Sequence, residues 1–325
     1  MASRTATKSG NWSDVTVWDG GTTLPGAGDT ADSNGYTVTI DQNIDMSPGG
    51  ALVNTNAGAG GFDVSVARVI VANIICTVRS VLNMTHSTGT MQITGNLQGG
   101  TSGTTIRTYW ATAGHVSVTG NVTGGAGGAG NRGLHSAGAG NITVTGNVTG
   151  GAASEFNYGV EHAGTGNVTV TGTATGGSVA NCFGVKFSSS GTCTIANATG
   201  GSATGADGAR NTSTGTVSVT GVVTGGSAAG ACGLYGSNSA GGATWKVAQH
   251  GANGNAAVGG FSKMVVDPTM NKIAVKRSDT GADYELSNDY PATTDVKSGV
   301  TYKLGTQLGT LAGGAVSISP YRGNL

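Results

Sequence analysis

The chain has 325 residues, of which 61 are glycine and only 17 are aromatic, and its 16 basic residues balance 16 acidic ones. The balanced charge argues against a nucleic-acid-binding surface and against an acidic tail. Charged residues make up only 10% of the chain, but short alternating runs of valine, isoleucine and threonine recur along it, so we expect a folded β protein rather than a disordered one.

Residues 1–50 are predicted to form an N-terminal cap or attachment segment. Trp12 and Trp18 can close one end of a β structure, a Pro-Gly pair predicts a turn, and the alternating run at residues 36–40 predicts a strand. The segment has no apolar stretch typical of a secretory signal, and no run in the chain approaches the ~18 apolar residues of a membrane span. The order of its residues, W-S-D followed by W, G, P and G-D, resembles the N-terminal caps of β-helical surface and phage proteins.

Residues 51–260 are predicted to form a β-solenoid, because glycine pairs recur there at intervals of 24–26 residues. Each pair closes a phrase such as VSVTGNVTGG, and a second phrase, such as NYGVEHAGTG, lies between successive pairs. The six pairs are Gly99–Gly100, Gly124–Gly125, Gly150–Gly151, Gly176–Gly177, Gly200–Gly201 and Gly225–Gly226. Six copies in register identify one structural unit of about 25 residues, which is most regular over residues 91–250.

Each unit is predicted to contain three short strands and three corners. Strand side chains alternate, so Val116 and Val118 share the inner face of the first strand, while Val122 and Leu134 point inward from the second and third. Three strands within about 25 residues suit one coil of a parallel, right-handed β-helix. We expect the glycine pairs to supply the positive φ angles of a sharp corner. Helical repeats are excluded, since no apolar period of 3.6 residues occurs.

Stacked coils place equivalent residues in columns, which predicts two inner columns of apolar side chains. They consist of Val116, Ile142, Val168, Cys193 and Val217, and of Val118, Val144, Val170, Ile195 and Val219. Because Cys193 stands where other coils carry valine, we expect it to be a buried free thiol. The four cysteines form no CxxC pair, so neither zinc binding nor a disulfide is expected.

Residues 261–325 lose the glycine repeat and gain Lys, Asp and Tyr, and they are predicted to form a small C-terminal β module. Within them, YPATTDVKSGVTYKLGTQLGTLA (residues 290–312) resembles a short module of tailed-phage and prophage structural proteins, P-A-x-x-D-V-R-S-G-V-x-Y-G. Asp295 and Tyr302 are among the matching residues, while two lysines replace the Arg and the Gly of that pattern. The resemblance implies a virion protein, assembled in the host cytoplasm, without identifying the part of the virion.

The regular coils contain few groups that could catalyse a reaction. A polysaccharide lyase or hydrolase needs paired carboxylates, and residues 91–250 contain only Glu155, Glu161 and Asp207 as acids. The repeat places Asp207 in the column of Tyr158, and we interpret these acids as solvated corner charges. We therefore expect no catalytic residue, no cofactor and no metal site.

One outward column of the third strand varies between coils, unlike the uniform columns around it. A variable stripe on a uniform scaffold is compatible with a contact face, and equally with a loosely constrained solvent face. The column consists of His135, Glu161, Lys186, Arg210 and Tyr235. His162 lies one column from His135, and we interpret both histidines as exposed polar positions, because no third metal ligand falls nearby.

Two further patterns are predicted to be consequences of strand and turn chemistry. Asn-x-Thr recurs along the coils and matches the glycosylation acceptor sequence, but asparagine and threonine also suit these corners and strands. Outward threonines resemble the threonine arrays of ice-binding solenoids, yet threonine is in any case a good strand former.

These features favour a non-enzymatic bacteriophage virion structural protein, either a capsid decoration (cement) protein or a projecting fibre. The alternative is a tailspike or host-surface adhesin that recognises a glycan, and the third hypothesis is a cellular surface or ice-binding solenoid. We expect the partners to be other virion proteins, major capsid or tail proteins, and expect no nucleic acid or membrane partner. We also expect a homo-oligomer, a trimer, attached through a terminal region at Trp12 and Trp18 or at Asp295 and Tyr302.

Overall fold

The computed structural model describes most of the chain up to residue 236 and shorter segments beyond it. Its only helix among the described residues is one 3-10 turn, Val15–Val17, and the remaining elements are strands. The described residues are 2–56, 60–76, 82–100, 114–127, 131–152, 155–227, 231, 233–236, 244–250, 256–258, 263–264, 272–276, 283–287, 301–302 and 307–308.

The strands are short at the N-terminal end and lengthen in the later coils. The first ten are β1 (Ser3–Thr5), β2 (Gly10–Asn11), β3 (Thr30–Asp32), β4 (Thr37–Thr39), β5 (Ile44–Asp45), β6 (Ala51–Asn54), β7 (Gly61–Val64), β8 (Val69–Val71), β9 (Asn73–Cys76) and β10 (Leu82–Met84). The next fifteen are β11 (Thr90–Thr94), β12 (Leu97–Gln98), β13 (His115–Thr119), β14 (Val122–Thr123), β15 (Leu134–Ser136), β16 (Ile142–Thr145), β17 (Val148–Thr149), β18 (Val160–His162), β19 (Val168–Thr175), β20 (Val185–Phe187), β21 (Thr192–Thr199), β22 (Ala209–Asn211), β23 (Thr216–Thr224), β24 (Leu234–Gly236) and β25 (Thr244–His250). The last six are β26 (Ala256–Val258), β27 (Lys263–Met264), β28 (Lys272–Lys276), β29 (Asp283–Ser287), β30 (Thr301–Tyr302) and β31 (Gln307–Leu308).

These strands stack as a parallel β-solenoid with three faces, which confirms the predicted fold class. The first face contains β5, β8, β11, β13 and β16, followed by the first halves of β19, β21, β23 and β25. The second contains β1, β3, β6, β9, β12, β14 and β17, followed by the second halves of the same long strands. The third contains β2, β4, β7 and β10, and later β15, β18, β20, β22, β24, β26 and β28.

The core is a set of apolar columns that run along the coil axis, as the alternation predicts. Val118 pairs with Val144, Val144 with Val170, Val170 with Ile195, and Ile195 with Val219, and all five are at most 4% exposed. The neighbouring column, with Cys193 between Val168 and Val217, is buried in the same way. The pairing of β23 with β25 departs from the predicted interval of 24–26 residues, because its partners lie 27–28 residues apart, as in Val217 with Trp245.

The described cysteines are buried, as predicted for Cys193. They are Cys76, Cys182 and Cys193, whereas Cys232 lies outside the described residues. Complete burial raises the pKa of the Cys193 thiol to about 12, because the low-dielectric interior disfavours the thiolate. Cys193 is therefore a structural side chain that fills the place of a valine.

The glycines of the corners serve two different purposes, and the expectation for the glycine pairs is corrected. Positive φ angles of 148–153° occur at Gly120 and Gly146, each just before the Asn of a Gly-Asn corner, in a region that only glycine adopts easily. The Gly-Gly pairs do not have positive φ. A Cβ at Gly150 would overlap the carbonyl oxygen of Asn157, and one at Gly151 would overlap that of Gly125. Close backbone packing therefore requires these pairs.

Asparagine side chains at the Gly-Asn corner link one coil to the next. The Asn96 backbone N–H donates to Oδ1 of Asn73 at 3.0 Å, Asn121 donates to Asn96 at 2.9 Å, and Asn147 donates to Asn121 at 2.9 Å. These bonds satisfy backbone donors that the corner removes from the sheet ladder. The Asn-x-Thr pattern at this corner thus has a structural cause.

The coils extend into both segments that the sequence assigned to a cap and a module. β3 pairs in parallel with β1 on one side and with β6 on the other, so the solenoid already includes strands of the first 50 residues. Near this end Trp12 and Trp18 are buried, with ring centroids 4.9 Å apart, and Trp12 also packs against Phe62. At the other end β27 and β28 continue the first and third faces. The chain divides into two compact units, Met1–Leu286 and Ser287–Leu325, and the second contains the antiparallel pair β30–β31.

Candidate functional site

Between residues 114 and 235, charged side chains are confined to one part of each coil. Between residues 114 and 235 the sequence contains six charged residues, and all six lie in the third-face strands or in the loops that lead into them. They are Arg132, Glu155, Glu161, Lys186, Asp207 and Arg210. Apart from His115, the rest of each coil in this range consists of small, hydroxyl, amide and aliphatic residues, so the third face is the candidate functional site. We call this set, with His135 and the aromatic residues Phe156, Tyr158, Phe183 and Tyr235, the third-face cluster.

The variable stripe lies in the register that the sequence predicts. In β15, β18, β20, β22 and β24, His135 pairs with Glu161, Glu161 with Lys186, Lys186 with Arg210, and Arg210 with Tyr235. Not every side chain of the stripe is exposed to solvent, however, because the Glu161 side chain is only 8% exposed. Its neighbours in the column cover it.

The Glu161 carboxylate joins three successive coils. It forms an ion pair with Nε of Arg132 in the coil before it, and its Oε1 lies 3.0 Å from Nζ of Lys186 in the coil after it. Its Oε2 also lies 3.7 Å from Nε2 of His135. A buried carboxylate requires such partners, since an unpaired charge is expensive to remove from water. Glu161 therefore fixes the relative positions of three coils.

Asp207 forms the second buried ion pair of the cluster, which corrects the expectation of a solvated corner charge. Its side chain is 1% exposed, and its Oδ2 accepts a hydrogen bond from Nε of Arg210 at 2.9 Å and lies 2.7 Å from Nη2 of the same guanidinium. As predicted, it occupies the column of Tyr158, with Phe183 in the coil between them. Glu155 is exposed in its loop, as expected.

Aromatic rings form the floor of the cluster. Tyr158 and Phe183 are buried and stacked, with centroids 5.1 Å apart and planes 10° apart. Lys186 Nζ lies 5.1 Å from the Tyr158 ring centroid, and the Arg210 guanidinium lies 4.0 Å from Phe183 and 4.2 Å from Tyr235. Such contacts stabilise each cation by about 0.5–2 kcal/mol. Burial, followed by the negative charge of Glu161, raises the pKa of the Tyr158 hydroxyl above its usual value.

Phe156 is an exposed aromatic residue, and its backbone adopts a left-handed conformation that is unfavourable for phenylalanine. Its φ is 66° and its exposure is 47%. The equivalent positions of the next two coils are Asn181, with φ of 58°, and Gly205, with φ of 68°, so this loop turn requires left-handed backbone in all three coils. Asparagine and glycine tolerate that conformation, whereas a bulky residue there costs about 1–3 kcal/mol. Phe156 was not among the site residues predicted from the sequence, although an alignment of the three loops places this phenylalanine where the other two coils have Asn and Gly.

His162 lies inside the solenoid rather than on its surface, which corrects its predicted exposure. It is 0% exposed and packs edge-on against Phe187, with centroids 5.2 Å apart. Burial lowers the pKa of His162, and backbone carbonyls of Gly166 and Ser136 oppose part of that shift, although neither ring nitrogen reaches hydrogen-bond geometry. A neutral imidazole in an apolar interior follows from this position.

The remaining predicted site residues are Trp12, Trp18, Asp295 and Tyr302. Trp12 and Trp18 are buried at the N-terminal end of the solenoid, Tyr302 lies in β30, and Asp295 lies outside the described residues. Within the described part of the chain, no group of three or more His, Cys, Asp or Glu residues is arranged to hold a metal ion.

The fold and the cluster together define a parallel β-solenoid with one charged and aromatic face. No family model, curated protein or solved structure matches this chain significantly. Among the described residues, no helix has both the length and the apolar character needed to cross a membrane.

Proposed function

We propose that the protein is a non-enzymatic structural component of a bacteriophage virion, either a capsid decoration protein or a projecting fibre. One observation supports the absence of enzymatic activity. Both buried carboxylates of the third face are paired with cations of their own coil or of adjacent coils. The virion part rests on the resemblance of residues 290–312 to a tailed-phage structural module. A uniform stack of coils suits a stiff scaffold.

The ion pairs argue against glycoside hydrolysis on this face. A retaining or inverting enzyme needs two carboxyl groups on either side of the scissile bond, about 5–10 Å apart, with one able to give up a proton. Glu161 is held by Arg132 and Lys186, and Asp207 by Arg210. Of the acids in the described coils between residues 114 and 235, only Glu155 remains exposed. One exposed carboxylate does not supply both roles.

The proposal includes the assembly expected of such a protein. The chain forms a homo-oligomer, a trimer, assembles in the host cytoplasm and attaches to major capsid or tail proteins through one terminal region. Its low charge supports association, because a weakly charged surface opposes contact between copies less than a strongly charged one does.

Particle composition tests the proposal. Virions of the phage or prophage that encodes the chain are purified on a density gradient, and their proteins are quantified by mass spectrometry. We expect the chain in the particle band at a fixed ratio to the major capsid protein, and native mass spectrometry of the full-length protein should give three copies. A chain found only in the free-protein fraction overturns the virion assignment. Depolymerisation of host polysaccharide by the purified protein overturns the non-enzymatic assignment.

A tailspike or host-surface adhesin that recognises a glycan is the second candidate. The observation that favours it is the third-face cluster itself, in which an exposed aromatic residue and several charged side chains share one face of the coils.

A further inference from the structure

The backbone conformation of its loop does not explain why residue 156 is a phenylalanine. Asn181 and Gly205 form the same left-handed turn in the following coils, so the turn itself needs no phenylalanine. Nearly half of Phe156 is exposed, 47%, and it does not belong to the buried hydrophobic core. Residues with strained backbone and exposed side chains concentrate at binding sites, where the strain is retained because the side chain contacts a ligand.

Two cationic side chains lie at the Tyr158 ring, which Phe156 contacts. The ring contacts Tyr158 edge-on, with centroids 6.5 Å apart. Around the same Tyr158 ring lie Nζ of Lys186, at 5.1 Å, and the guanidinium of Arg132, at 5.9 Å. Glu155, the residue before Phe156 in the chain, is exposed. The Phe156 ring, the two cations at the neighbouring Tyr158 ring and the Glu155 carboxylate therefore come from the same part of the third face.

The donors of this patch are held in place before any ligand arrives. Glu161 pairs with both Arg132 and Lys186, and the stacked Tyr158–Phe183 rings support them from below. A ligand therefore does not have to order these long side chains, which removes one of the main costs of binding. The charges of the patch also cancel, because Glu155 and Glu161 balance Arg132 and Lys186. A polyanion is not favoured there.

We propose that Phe156, with Lys186, Arg132 and Glu155 around it, forms a binding site for a saccharide ring. The apolar C–H face of the sugar packs on the Phe156 ring, its hydroxyl oxygens accept from Lys186 and Arg132, and a hydroxyl group donates to Glu155. A sugar has an apolar face and a rim of hydroxyl groups that both donate and accept, which is the pattern of this patch. A protein partner would instead need a larger apolar area than the single ring exposed here. The site is independent of the virion assignment, since it uses only the coils.

The test uses the full-length protein and two substitutions that the chain itself suggests. Phe156→Asn and Phe156→Gly introduce the residues of the equivalent positions in the next coils, and Asn181→Gly is the matched control one coil away. The probe is a panel of defined neutral and acidic bacterial oligosaccharides, and the best binder is titrated by calorimetry. We expect each Phe156 variant to lose at least tenfold in affinity while its Tm stays equal or rises. Asn181→Gly should keep the affinity.

A separate variant tests the acceptor of the site. Glu155→Gln keeps the shape of the side chain but removes its charge, and we expect a severalfold loss of affinity with an unchanged Tm.

Three results would overturn the saccharide site. They are the absence of specific binding across the whole panel, unchanged affinity in both Phe156 variants, or a lowered Tm in Phe156→Gly, which would make Phe156 a packing residue. Loss of attachment to virion proteins in the Phe156 variants, without saccharide binding, would assign the patch to a protein contact instead. Virion membership is measured in particles and is not affected by these outcomes.

Discussion

The buried histidine makes the stability of the solenoid dependent on pH in a specific direction. His162 is 0% exposed, and burial lowers its pKa below 6.5. In the unfolded chain the imidazole binds a proton near pH 6.5, whereas the folded chain binds it only at lower pH. The unfolded state therefore holds more protons as the pH falls through 6.5, and the free energy of unfolding decreases. Above pH 6.5 both states are neutral, so the contribution is complete there.

The size of the effect follows from a single proton. One proton taken up by the unfolded state alone changes the free energy of unfolding by about 1.4 kcal/mol for each pH unit. Between pH 7.5 and 5.5, with an unfolded pKa near 6.5, His162 should remove at most about 1.4 kcal/mol. The loss ends once the pH falls below the folded pKa of His162, because both states then bind the proton.

Urea unfolding at pH 7.5 and 5.5, followed by circular dichroism, measures this difference. His162→Leu removes the titrating group, so its free energy of unfolding should change less between the two pH values than that of the wild type. Phe187→Leu alters the same interior column without removing a titrating group, and it should keep the wild-type pH dependence. Equal pH dependence in wild type and His162→Leu would refute the buried, neutral state of this histidine.

Two further predictions concern the inner columns. Val144 is fully buried, so Val144→Ala should destabilise the solenoid by about 2–3 kcal/mol, from two lost methyl groups plus the cavity that they leave. In the same urea experiment, Thr143→Ala, which changes the adjacent outward residue, should alter the free energy of unfolding by no more than about 0.5 kcal/mol. Equal effects of the two substitutions would contradict the alternation of inward and outward side chains. Cys193, whose pKa is raised to about 12, should not react with a thiol reagent at pH 8 until the chain is unfolded, and fast labelling of the native protein at Cys193 would contradict its burial.

The solenoid and its inner columns could be predicted from the sequence because both depend on local rules. Side chains in a strand alternate whatever the strand packs against, so Val118 and Val144 were placed inside from the pattern alone. The recurring glycine pairs supplied the coil length. The same alternation also places His162 inside, since it lies two residues after the inward Val160 in β18. Because histidine is polar, we had expected it to be exposed, but the alternation of side chains along β18 places it in the interior.

The N-terminal coils were harder to predict because their spacing is irregular. Equivalent residues there lie 20–28 residues apart, as in Phe62 with Leu82 and Gly10 with Val38, and no glycine pair marks each turn. A parallel sheet tolerates such variation, since the extra residues are absorbed in the corners while the strands keep their pairing. A fixed period therefore does not detect these coils.

The sequence alone determined the fold class, the coil length and the register of the variable stripe, because each follows from the period of two along a strand and the period of about 25 along the chain. Only the tertiary structure decided how the charges of that stripe are used. Whether Glu161 is solvated depends on Arg132 and Lys186 reaching it from adjacent coils, and the position of Asp207 against Arg210 depends on the loop before β22. The strain at Phe156 likewise appears only in the folded loop. Long side chains and loops obey no fixed period, so their contacts are set by packing between coils.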